Sequence, residues 1–283
     1  MLAASIESVR AAASASDDLD VIVVDNGGAA EYADRLPANV IGTGANLGFG
    51  RAVNTAVRSA RGDRVLLMNP DSVVHPDIFR ALDSAWEEHP GAMFGALLIK
   101  EGAAQIHAYN IWWSSVELLL SKHRWISRLD RLRAAGAPAP VARLCGAGLY
   151  AARDDMLALG PFNESFFLYG EDVDLSIRSR IAGHSLILVP DAVIDHAAGT
   201  SSAGSSTLVA RAQMDGHLRL LSIHRNRFAS LSGRFEALFV SLVGLLFARS
   251  RSQRSARVAR MREVRRWGFR RVAPRLDPTT AAL

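Results

Sequence analysis

Short apolar runs that end in polar turns constrain the fold more than any other feature of this sequence. Residues 20–24 read DVIVV and lead into Asp25-Asn26-Gly27-Gly28, and residues 64–68 read RVLLM and lead into Asn69-Pro70-Asp71-Ser72. Runs without polar alternation are typical of strands that are buried on both faces of a sheet. The pattern predicts an α/β fold in which helices flank a mostly parallel sheet. Further runs of this kind occur at 40–41, 92–99 and 185–189.

Polar side chains at the ends of these runs are candidates for a ligand site. In open α/β sheets, ligands bind beyond the carboxyl ends of the strands, which is where Asp25, Asn26, Asn69 and Asp71 are expected. Hard divalent cations prefer oxygen ligands, and Mg²⁺ usually takes only one or two protein carboxylates beside substrate phosphates. Asp-Asn-Gly and Pro-Asp turns also form where no ligand binds. On these residues alone, both interpretations stay open.

The segment 166–183, FFLYGEDVDLSIRSRIAG, holds the densest group of carboxylates. Glu171, Asp172 and Asp174 fall within four residues at the start of a helical pattern, directly after two phenylalanines and a tyrosine. Acidic residues in the first turn stabilise a helix without any further role. An apolar wall beside a carboxylate can instead raise its pKa toward that of a general base. The segment alone favours neither a structural nor a catalytic role.

A glycine-rich segment, GTGANLGFGRAVN at 42–54, precedes another helical pattern. The third glycine of a dinucleotide-binding G-x-G-x-x-G motif would fall on Leu47, so we discard that motif. Asn46, Arg51 and Asn54 lie near the start of the helix, where free N–H groups and an arginine suit a diphosphate. Ordinary helix capping is the alternative.

Three segments farther along the chain add to the candidate site. The run LCGAGLY at 144–150 is typical of a place where a ligand approaches the backbone closely. His196 follows an apolar run and precedes a loop rich in Gly, Ser and Ala at 197–206. A lone histidine is more often structural than a ligand, but this setting favours a functional role more than usual. We interpret residues 102–145, which hold three tryptophans, as an insertion over the site.

Positive charge is concentrated at the C-terminal end. Residues 249–283 hold eleven arginines against Glu263 and Asp277, a balance of +9 in a chain of net charge +5, so the rest carries −4. Apolar residues recur every three positions among these arginines, which predicts a basic amphipathic helix. No nucleic-acid-binding module accompanies it, so nucleic acid is not an expected partner.

An apolar block of fourteen residues, 235–248, precedes the basic helix. It is shorter than the roughly 20 residues that cross a bilayer, but it suits a helix lying in the membrane interface. Together the two segments predict peripheral contact with an anionic inner membrane through residues 235–275. Packing of the basic helix on its own domain is the alternative.

The cysteine content and the first residues bear on the compartment. A single cysteine, Cys145, excludes an internal disulfide framework and a cysteine metal cluster. Residues 1–13 lack the cationic start and apolar core of a secretory signal. We therefore expect a cytoplasmic protein at the cytoplasmic face of the plasma membrane.

Several motifs occur together in a characteristic order. This set resembles the inverting family 2 glycosyltransferases of GT-A fold, and most closely the rhamnosyltransferase-like branch that acts on bacterial cell-surface polysaccharides. The resemblance covers roughly residues 1–230, and its most specific parts are the NLGFG and FFLYGEDVDL segments. The motifs are VVDN at 23–26, NLGFGRAVN at 46–54, NPD at 69–71, CGAG at 145–148, FNESFFLYGEDVDLSIR at 162–178, and His196 with Ser201.

The resemblance implies a GT-A catalytic domain at 1–206, with nucleotide binding in about 1–100 and catalysis in about 101–206, and a C-terminal helical region at 207–283. It implies transfer of a sugar, such as rhamnose or a related hexose, from a nucleotide-sugar donor to a cell-surface glycan or a lipid-linked acceptor. Asp172 matches the base, with Glu171 on the acceptor side, and Asp71 and His196 match ligands of Mg²⁺ or Mn²⁺. The implied donor-binding residues are Asp25, Asn26, Asn46, Arg51, Asn54, Asn69, Gly146 and Ala147.

One departure from the family pattern leaves alternatives open. The family begins with a central strand, whereas this chain starts at the helix that follows it, so one edge of residues 21–24 is expected to lack a partner. A true start upstream of Met1 is one explanation. The other is a catalytically inactive scaffold that resembles a glycosyltransferase. A hydrolase that uses carboxylates and a metal is a third function compatible with the same residues.

Overall fold

The computed structural model describes residues 1–13, 18–28, 33–197 and 206–277. It confirms the α/β class, and most elements lie where the apolar pattern predicts them. The strands are β1 (Ile22–Asp25), β2 (Asn39–Gly42), β3 (Arg64–Met68), β4 (Ser72–Val74), β5 (Met93–Lys100), β6 (Ala103–Ala104), β7 (Ala139–Pro140), β8 (Gly148–Ala152) and β9 (Leu186–His196). The helices are α1 (Leu2–Ala12), α2 (Phe49–Ser59), α3 (Ile78–Glu88), α4 (Ser115–Ala135), α5 (Arg153–Leu159), α6 (Glu171–Ile181), α7 (Ser206–His224), α8 (Arg227–Leu246) and α9 (Arg251–Trp267).

The main sheet is mixed, which corrects the expectation of a mostly parallel sheet. Its order is β3-β8-β5-β9-β4, and β5 with β9 is the parallel pair in it. Strand β8 lies antiparallel between β3 and β5, and β4 lies antiparallel to β9. The sequence did not indicate this because β8 is buried on both faces, and an apolar run does not reveal the direction of its strand.

The sheet is divided at the place where the sequence predicts an interruption. Strands β1 and β2 form a separate parallel pair, from Ile22 opposite Asn39 to Asp25 opposite Gly42. Within the described ranges, β1 pairs with β2 alone and β3 pairs with β8 alone. Helix α2 packs against β1, whose residues are only half-buried, whereas β5 is buried over nearly its whole length.

Strand β9 is longer than the predicted run at 185–189 and carries His196 as its last residue. Its pairing with β5 shifts register between Ala96 and Leu97, opposite the segment that contains Pro190. A bulge accommodates the proline, which cannot donate a ladder hydrogen bond, so the strand continues beyond it. As a result, His196 lies opposite Ser72 in the β4–β9 ladder.

Helices α7, α8 and α9 pack together at the C-terminal end. Trp267 of α9 is fully buried, and its indole Nε1 donates to Asp215 of α7 at 2.9 Å. Arg219 and Asp215 form an ion pair at 3.1 Å inside this interface. One face of the basic helix therefore packs on the domain, as the alternative interpretation of the sequence predicted.

Helix α8 begins eight residues before the apolar block at 235–248 and is 20 residues long. By length and composition alone it could cross a membrane, although the sequence block appeared too short for that. Core helices of soluble proteins can have the same length and composition. Much of its C-terminal half is exposed, including Phe239 and Leu246.

Candidate active site

A cleft of about 620 Å³ gathers residues from distant parts of the chain. The carboxyl ends of β3 and β9 reach it, because these strands run in the same direction. The start of α6 and the segment before β8 form further walls, and α7 and α8 continue the cleft. The predicted site residues that line it are Asn69, Gly146, Ala147, Glu171, Asp172 and His196.

Helix α6 enters the cleft wall through an unusual backbone turn. Tyr169 and Gly170 have φ angles of 68° and 97°, in the left-handed region. A Cβ atom at Gly170 would lie 2.9 Å from Cε1 of Phe166, so both the angle and the packing favour glycine. Non-glycine residues in this region often occur at functional sites. The turn brings Glu171 and Asp172 to the cleft at the first turn of the helix.

Asp172 forms an ion pair inside the cleft. Nη2 of Arg143 donates to its Oδ2 at 2.7 Å, and the backbone N–H of Val173 donates to its Oδ1 at 2.8 Å. Nη1 of Arg143 also donates to the backbone oxygen of His107 at 2.6 Å. The carboxylate is therefore held in one orientation by partners from two segments of the chain.

Glu171 is buried beside Asp172. Burial, and secondarily the negative charge of Asp172, raise the pKa of Glu171 to about 8. Its Oε2 atom is buried and accepts no hydrogen bond from any residue that the structure describes. At neutral pH the side chain is therefore mostly protonated, and it can donate a hydrogen bond to a group in the cleft.

Asp174 does not line the cleft, unlike the two carboxylates before it. It accepts hydrogen bonds from Nε2 of His224 at 2.7 Å and from Nε of Arg178 at 2.8 Å. Burial alone would raise the pKa of Asp174, but these two partners outweigh it and the pKa is lowered. The carboxylate group of the sequence thus divides into a pair at the cleft and an anchor between α6 and α7.

His196 and Asp71 come together at the end of β9. Nε2 of His196 lies 3.7 Å from Oδ1 of Asp71 and 2.9 Å from Nδ2 of Asn69. Nε2 of Gln105 donates to the backbone oxygen of His196, which orients the Gln105 amide so that its oxygen faces Nδ1 of the histidine at 3.2 Å. Nδ1 therefore carries the proton, and Nε2 presents a lone pair toward Asp71 and Asn69.

This donor set fits a divalent cation. A carboxylate and a neutral imidazole are ordinary ligands of Mn²⁺, and Mg²⁺ accepts the carboxylate. A second hydrogen bond that fixes the tautomer is also typical of a metal-binding histidine. No group of three or more His, Cys, Asp or Glu residues with suitable geometry occurs in the described ranges, so a ligand would have to complete the coordination.

Asp25, Asn26 and Asn46 form a second group beside the cleft. Nδ2 of Asn26 donates to Oδ1 of Asn46 at 3.3 Å, and the Asn46 oxygen also accepts from the N–H of Gly48 at 3.0 Å. Asp25 is half-buried at the end of β1. Phe49, the residue after Gly48, lines the cleft, whereas Asp25, Asn26 and Asn46 do not. This group therefore adjoins the cleft without forming part of its lining.

Arg51 and Asn54 face Glu164 and Phe162. Nε of Arg51 lies 3.2 Å from the Glu164 carboxylate. The buried Asn54 amide donates to the Phe162 oxygen at 2.8 Å and accepts from the Phe162 N–H at 2.8 Å. These contacts join α2 to the segment before α6, and the proposed site does not include the two residues. Ser201 and most of the loop at 197–206 lie outside the described residues.

Comparison with known proteins supports the resemblance to a glycosyltransferase family. A family model described as glycosyl transferase family 2 matches residues 1–133, which include Asp25 and Asp71. The matched residues, slightly less than half of the chain, are similar to this family. The predicted resemblance to family 2 glycosyltransferases and the GT-A class of fold are thereby confirmed.

Curated relatives of this glycosyltransferase are similar at modest identity. An N-acetylglucosaminyl-diphospho-decaprenol L-rhamnosyltransferase of Mycobacterium tuberculosis is 29% identical over 205 residues, 63% of this chain and 66% of that protein. Rhamnosyltransferase WbbL of Escherichia coli is 26% identical over 158 residues, 52% of this chain and 60% of that protein. The similarity spans slightly less than two thirds of the length of these relatives.

Solved structures share the fold. GalNAc-T7 with UDP, GalNAc and Mn²⁺ has a TM-score of 0.55 at 14% identity, over 85% of this chain and 48% of that chain. The mannosyltransferase PcManGT of Pyrobaculum calidifontis, in complex with GDP-Man and Mn²⁺, has a TM-score of 0.53 at 14% identity, over 94% and 82%.

Sequence reasoning missed two residues of this candidate site. Arg143 stands directly before the LCGAGLY run, and that position was the available signal, but residues 102–145 appeared uninformative. Gln105 gave no signal, because a lone glutamine in a loop has no pattern. Trp112 and Trp113 do line the cleft, which agrees with an insertion over the site.

Proposed function

We propose that this protein is an inverting glycosyltransferase that moves rhamnose or a related hexose from a nucleotide-diphosphate donor to a hydroxyl group of a cell-surface glycan or lipid-linked acceptor. The observation that carries the proposal is that Asp172 shares one cleft with Asn69 and His196. A base candidate and a candidate site for a diphosphate-bound cation thus face the same space.

The acceptor hydroxyl attacks the anomeric carbon of the donor sugar. The new carbon–oxygen bond forms while the bond to the diphosphate oxygen breaks, and the nucleoside diphosphate leaves with the electron pair. Asp172 takes the proton of the hydroxyl, as a general base does. Attack from the face opposite the leaving group inverts the configuration of the sugar.

The neighbours of Asp172 assist this step. Arg143 orients the carboxylate through its 2.7 Å hydrogen bond. Glu171, protonated at neutral pH, is placed to donate a hydrogen bond to the acceptor. Asp71 and His196 supply donors for Mg²⁺ or Mn²⁺, and such a cation neutralises charge on a diphosphate when bound. Two similar structures were determined with Mn²⁺.

The donor occupies the side of the cleft near the N-terminal segment. Asp25, Asn26 and Asn46 provide polar groups for the nucleoside, next to the end of β1. Gly146 and Ala147 line the cleft with little side-chain bulk, which leaves room for the donor sugar. The names of the relatives support a rhamnosyl donor and an acceptor that is joined to a lipid through a diphosphate.

The C-terminal helices support peripheral contact with the cytoplasmic face of the membrane. Phe235, Phe239, Leu242 and Phe247 of the region 235–275 are exposed, and the arginines of α9 adjoin them. Aromatic and aliphatic side chains beside basic residues suit an anionic membrane surface.

The test is Asp172→Asn in a transfer assay. The assay uses uridine, guanosine and thymidine diphosphate sugars as donors and a synthetic N-acetylglucosaminyl-diphospho-lipid as acceptor. We expect the rate of transfer to fall by about 10²- to 10⁴-fold while the dissociation constant of the donor, measured by calorimetry with Mn²⁺, stays within twofold. Asp154→Asn, an exposed carboxylate on α5, serves as the matched control. Transfer by Asp172→Asn at the parent's rate would exclude Asp172 as the base.

The inactive scaffold is the second candidate, and the division between β1 and β3 favours it. The same calorimetry separates the two functions. Absence of donor binding and of transfer in the parent protein would support the scaffold.

A further inference from the structure

Two cavities meet at Val240 of α8. The catalytic cleft continues from Asp172 along α7 to Val240 and Arg260. A recess of about 500 Å³ between α8 and α9 begins at the same Val240, and we call it the α8–α9 recess. A path therefore leads from the catalytic carboxylates to the C-terminal helices. The other residues that line the recess are Phe239, Val243, Gly244, Phe247, Ala248, Gln253 and Arg257.

Two arginines border this path. Arg257 and Arg260 are three residues apart on α9 and so lie on one face of the helix. Nη2 of Arg260 donates to Oε1 of Gln213 at 3.1 Å, a neutral partner. Among the described residues, no carboxylate lies within ion-pair distance of either guanidinium.

Three other arginines of this interface differ in this respect, because they form ion pairs with buried carboxylates. Arg234 of α8 also lacks a carboxylate partner, but it donates to the backbone oxygens of Gly268 and Arg270. The paired residues are Arg211 and Arg266 with Glu263, and Arg219 and Arg266 with Asp215.

The two guanidinium groups are half-buried and close to one another. Burial, and secondarily the charge of Arg257, lower the pKa of Arg260, although an arginine stays charged at neutral pH. Two neighbouring cations without a counter-charge from the protein favour an anion with several oxygens, to which guanidinium groups donate in pairs.

Gly244 sets the position of Arg257. A Cβ atom at Gly244 would lie 2.7 Å from Nε and 2.9 Å from Cζ of Arg257. The guanidinium thus lies directly against α8 at the edge of the recess, and only glycine leaves room for it there.

Apolar side chains surround this edge and are exposed. Leu246, the last residue of α8, is 82% exposed, and Phe247, which follows it, is 76% exposed. Leu119 of α4 is 77% exposed, and α4 is tied to α8 because the N–H of Ser115 donates to Oε1 of Glu236. An anion site bordered by an apolar recess and exposed apolar groups suits an amphiphile rather than a nucleotide or a free phosphate.

We propose that Arg257 and Arg260 bind the diphosphate of a lipid-linked acceptor, while its apolar chain lies in the α8–α9 recess and its sugar reaches Asp172. This inference rests on the proposed function and names the class of acceptor. The path orders the three parts of such a molecule in the sequence in which they are bonded. The recess lies beside the exposed face of α8, so the chain can remain partly in the membrane.

The test measures binding of farnesyl diphosphate to the full chain, with farnesol and inorganic diphosphate as separate probes. We expect farnesyl diphosphate to bind at least tenfold more tightly than either, and the R257Q/R260Q double variant to lose at least tenfold in affinity. R254Q/R265Q removes the same charge from exposed positions of α9 and serves as the matched control, with affinity within twofold of the parent.

Gly244→Ala keeps every charge and displaces only the Arg257 guanidinium. Because alanine favours a helix more than glycine does, the variant should fold with a thermal midpoint at or above that of the parent. Its affinity for farnesyl diphosphate should nevertheless fall severalfold. Binding at the parent's affinity would overturn the place given to Arg257.

Equal loss in R257Q/R260Q and R254Q/R265Q would show diffuse attraction by the basic helix and overturn the proposal. Unchanged binding in R257Q/R260Q would overturn it as well, and so would equal affinity for farnesol. The measurement involves no transfer, so its failure is distinct from a failure of Asp172→Asn to lose activity.

Discussion

The guanidinium of Arg143 donates from Nη2 to Oδ2 of Asp172 at 2.7 Å, and the two side chains are only 20% and 10% exposed. The residues are 29 positions apart, in the segment before β8 and in the first turn of α6. The contact couples the orientation of the proposed base to a loop that also lines the cleft. Arg143 touches Asp172 and not the reacting atoms, so it is a positioning residue.

Removal of Arg143 should slow transfer without weakening donor binding. We expect Arg143→Gln to lower kcat by about 10²-fold, because the orientation of Asp172 is lost, while KM for the donor stays within twofold. Arg143→Lys keeps the charge but cannot reach Asp172 and the His107 oxygen together. Its kcat should therefore lie between those of the parent and of Arg143→Gln. Arg180→Gln, on the exposed part of α6, is the control. Equal changes in kcat and KM, or none, would contradict the role.

Glu171 should make stability depend on pH. Its pKa is raised from 4.5 to about 8, so between these values the folded state keeps a proton that the unfolded state releases. The free energy of unfolding should therefore fall as pH rises through this window. Glu171→Gln should lack this pH dependence, because glutamine does not ionise. We expect the thermal midpoint of the parent, relative to that of Glu171→Gln, to decline from pH 5 to pH 8. A constant difference would show that Glu171 ionises normally.

The proposed metal site predicts that two separate variants, at His196 and at Gln105, bind Mn²⁺ more weakly than the parent. His196→Ala should weaken binding of Mn²⁺, followed by electron paramagnetic resonance, by at least about tenfold. Gln105→Leu keeps the imidazole but removes the acceptor for Nδ1, and should weaken it by a similar or smaller factor. His75→Ala, an exposed histidine paired with Asp195, is the control and should leave binding unchanged. Unaltered affinity in His196→Ala would exclude the site.

The anchor at Asp174 should affect stability more than any exposed charge. Asp174→Ala leaves Arg178 and His224 without their buried partner and should lower the free energy of unfolding by about 3–5 kcal/mol. His224→Leu removes one of the two hydrogen bonds and should cost about 1–3 kcal/mol. His123→Leu, on the exposed face of α4, is the control in urea unfolding.

The same anchor gives a signature in acid. Because its two partners lower the pKa of Asp174, its contribution is present at neutral pH and is lost as pH falls through the lowered value. The difference between the parent and Asp174→Ala should therefore shrink below about pH 4. A difference that persists there would point to lost packing instead of lost charge.

Local signals in the sequence were sufficient for much of the fold. The run at 64–68 coincides with β3, because an apolar run between turn residues leaves the backbone few alternatives. The polar turns after β1 and β3 and the acidic start of α6 indicated the candidate ligand site, which stays a prediction. The break beside β1 was also visible, since one edge of residues 21–24 was expected to lack a partner strand.

Only the tertiary structure decided which candidates share a site. It placed β8 antiparallel between β3 and β5 and brought Arg143 into contact with Asp172. It also paired Asp174 with His224, which is 50 residues away in the sequence. It also buried Trp267 of the basic helix. Sequence spacing carries no information about such contacts, because they depend on how helices and strands pack. The sequence by itself determined the chemistry that was available, and packing determined which side chains face the cleft.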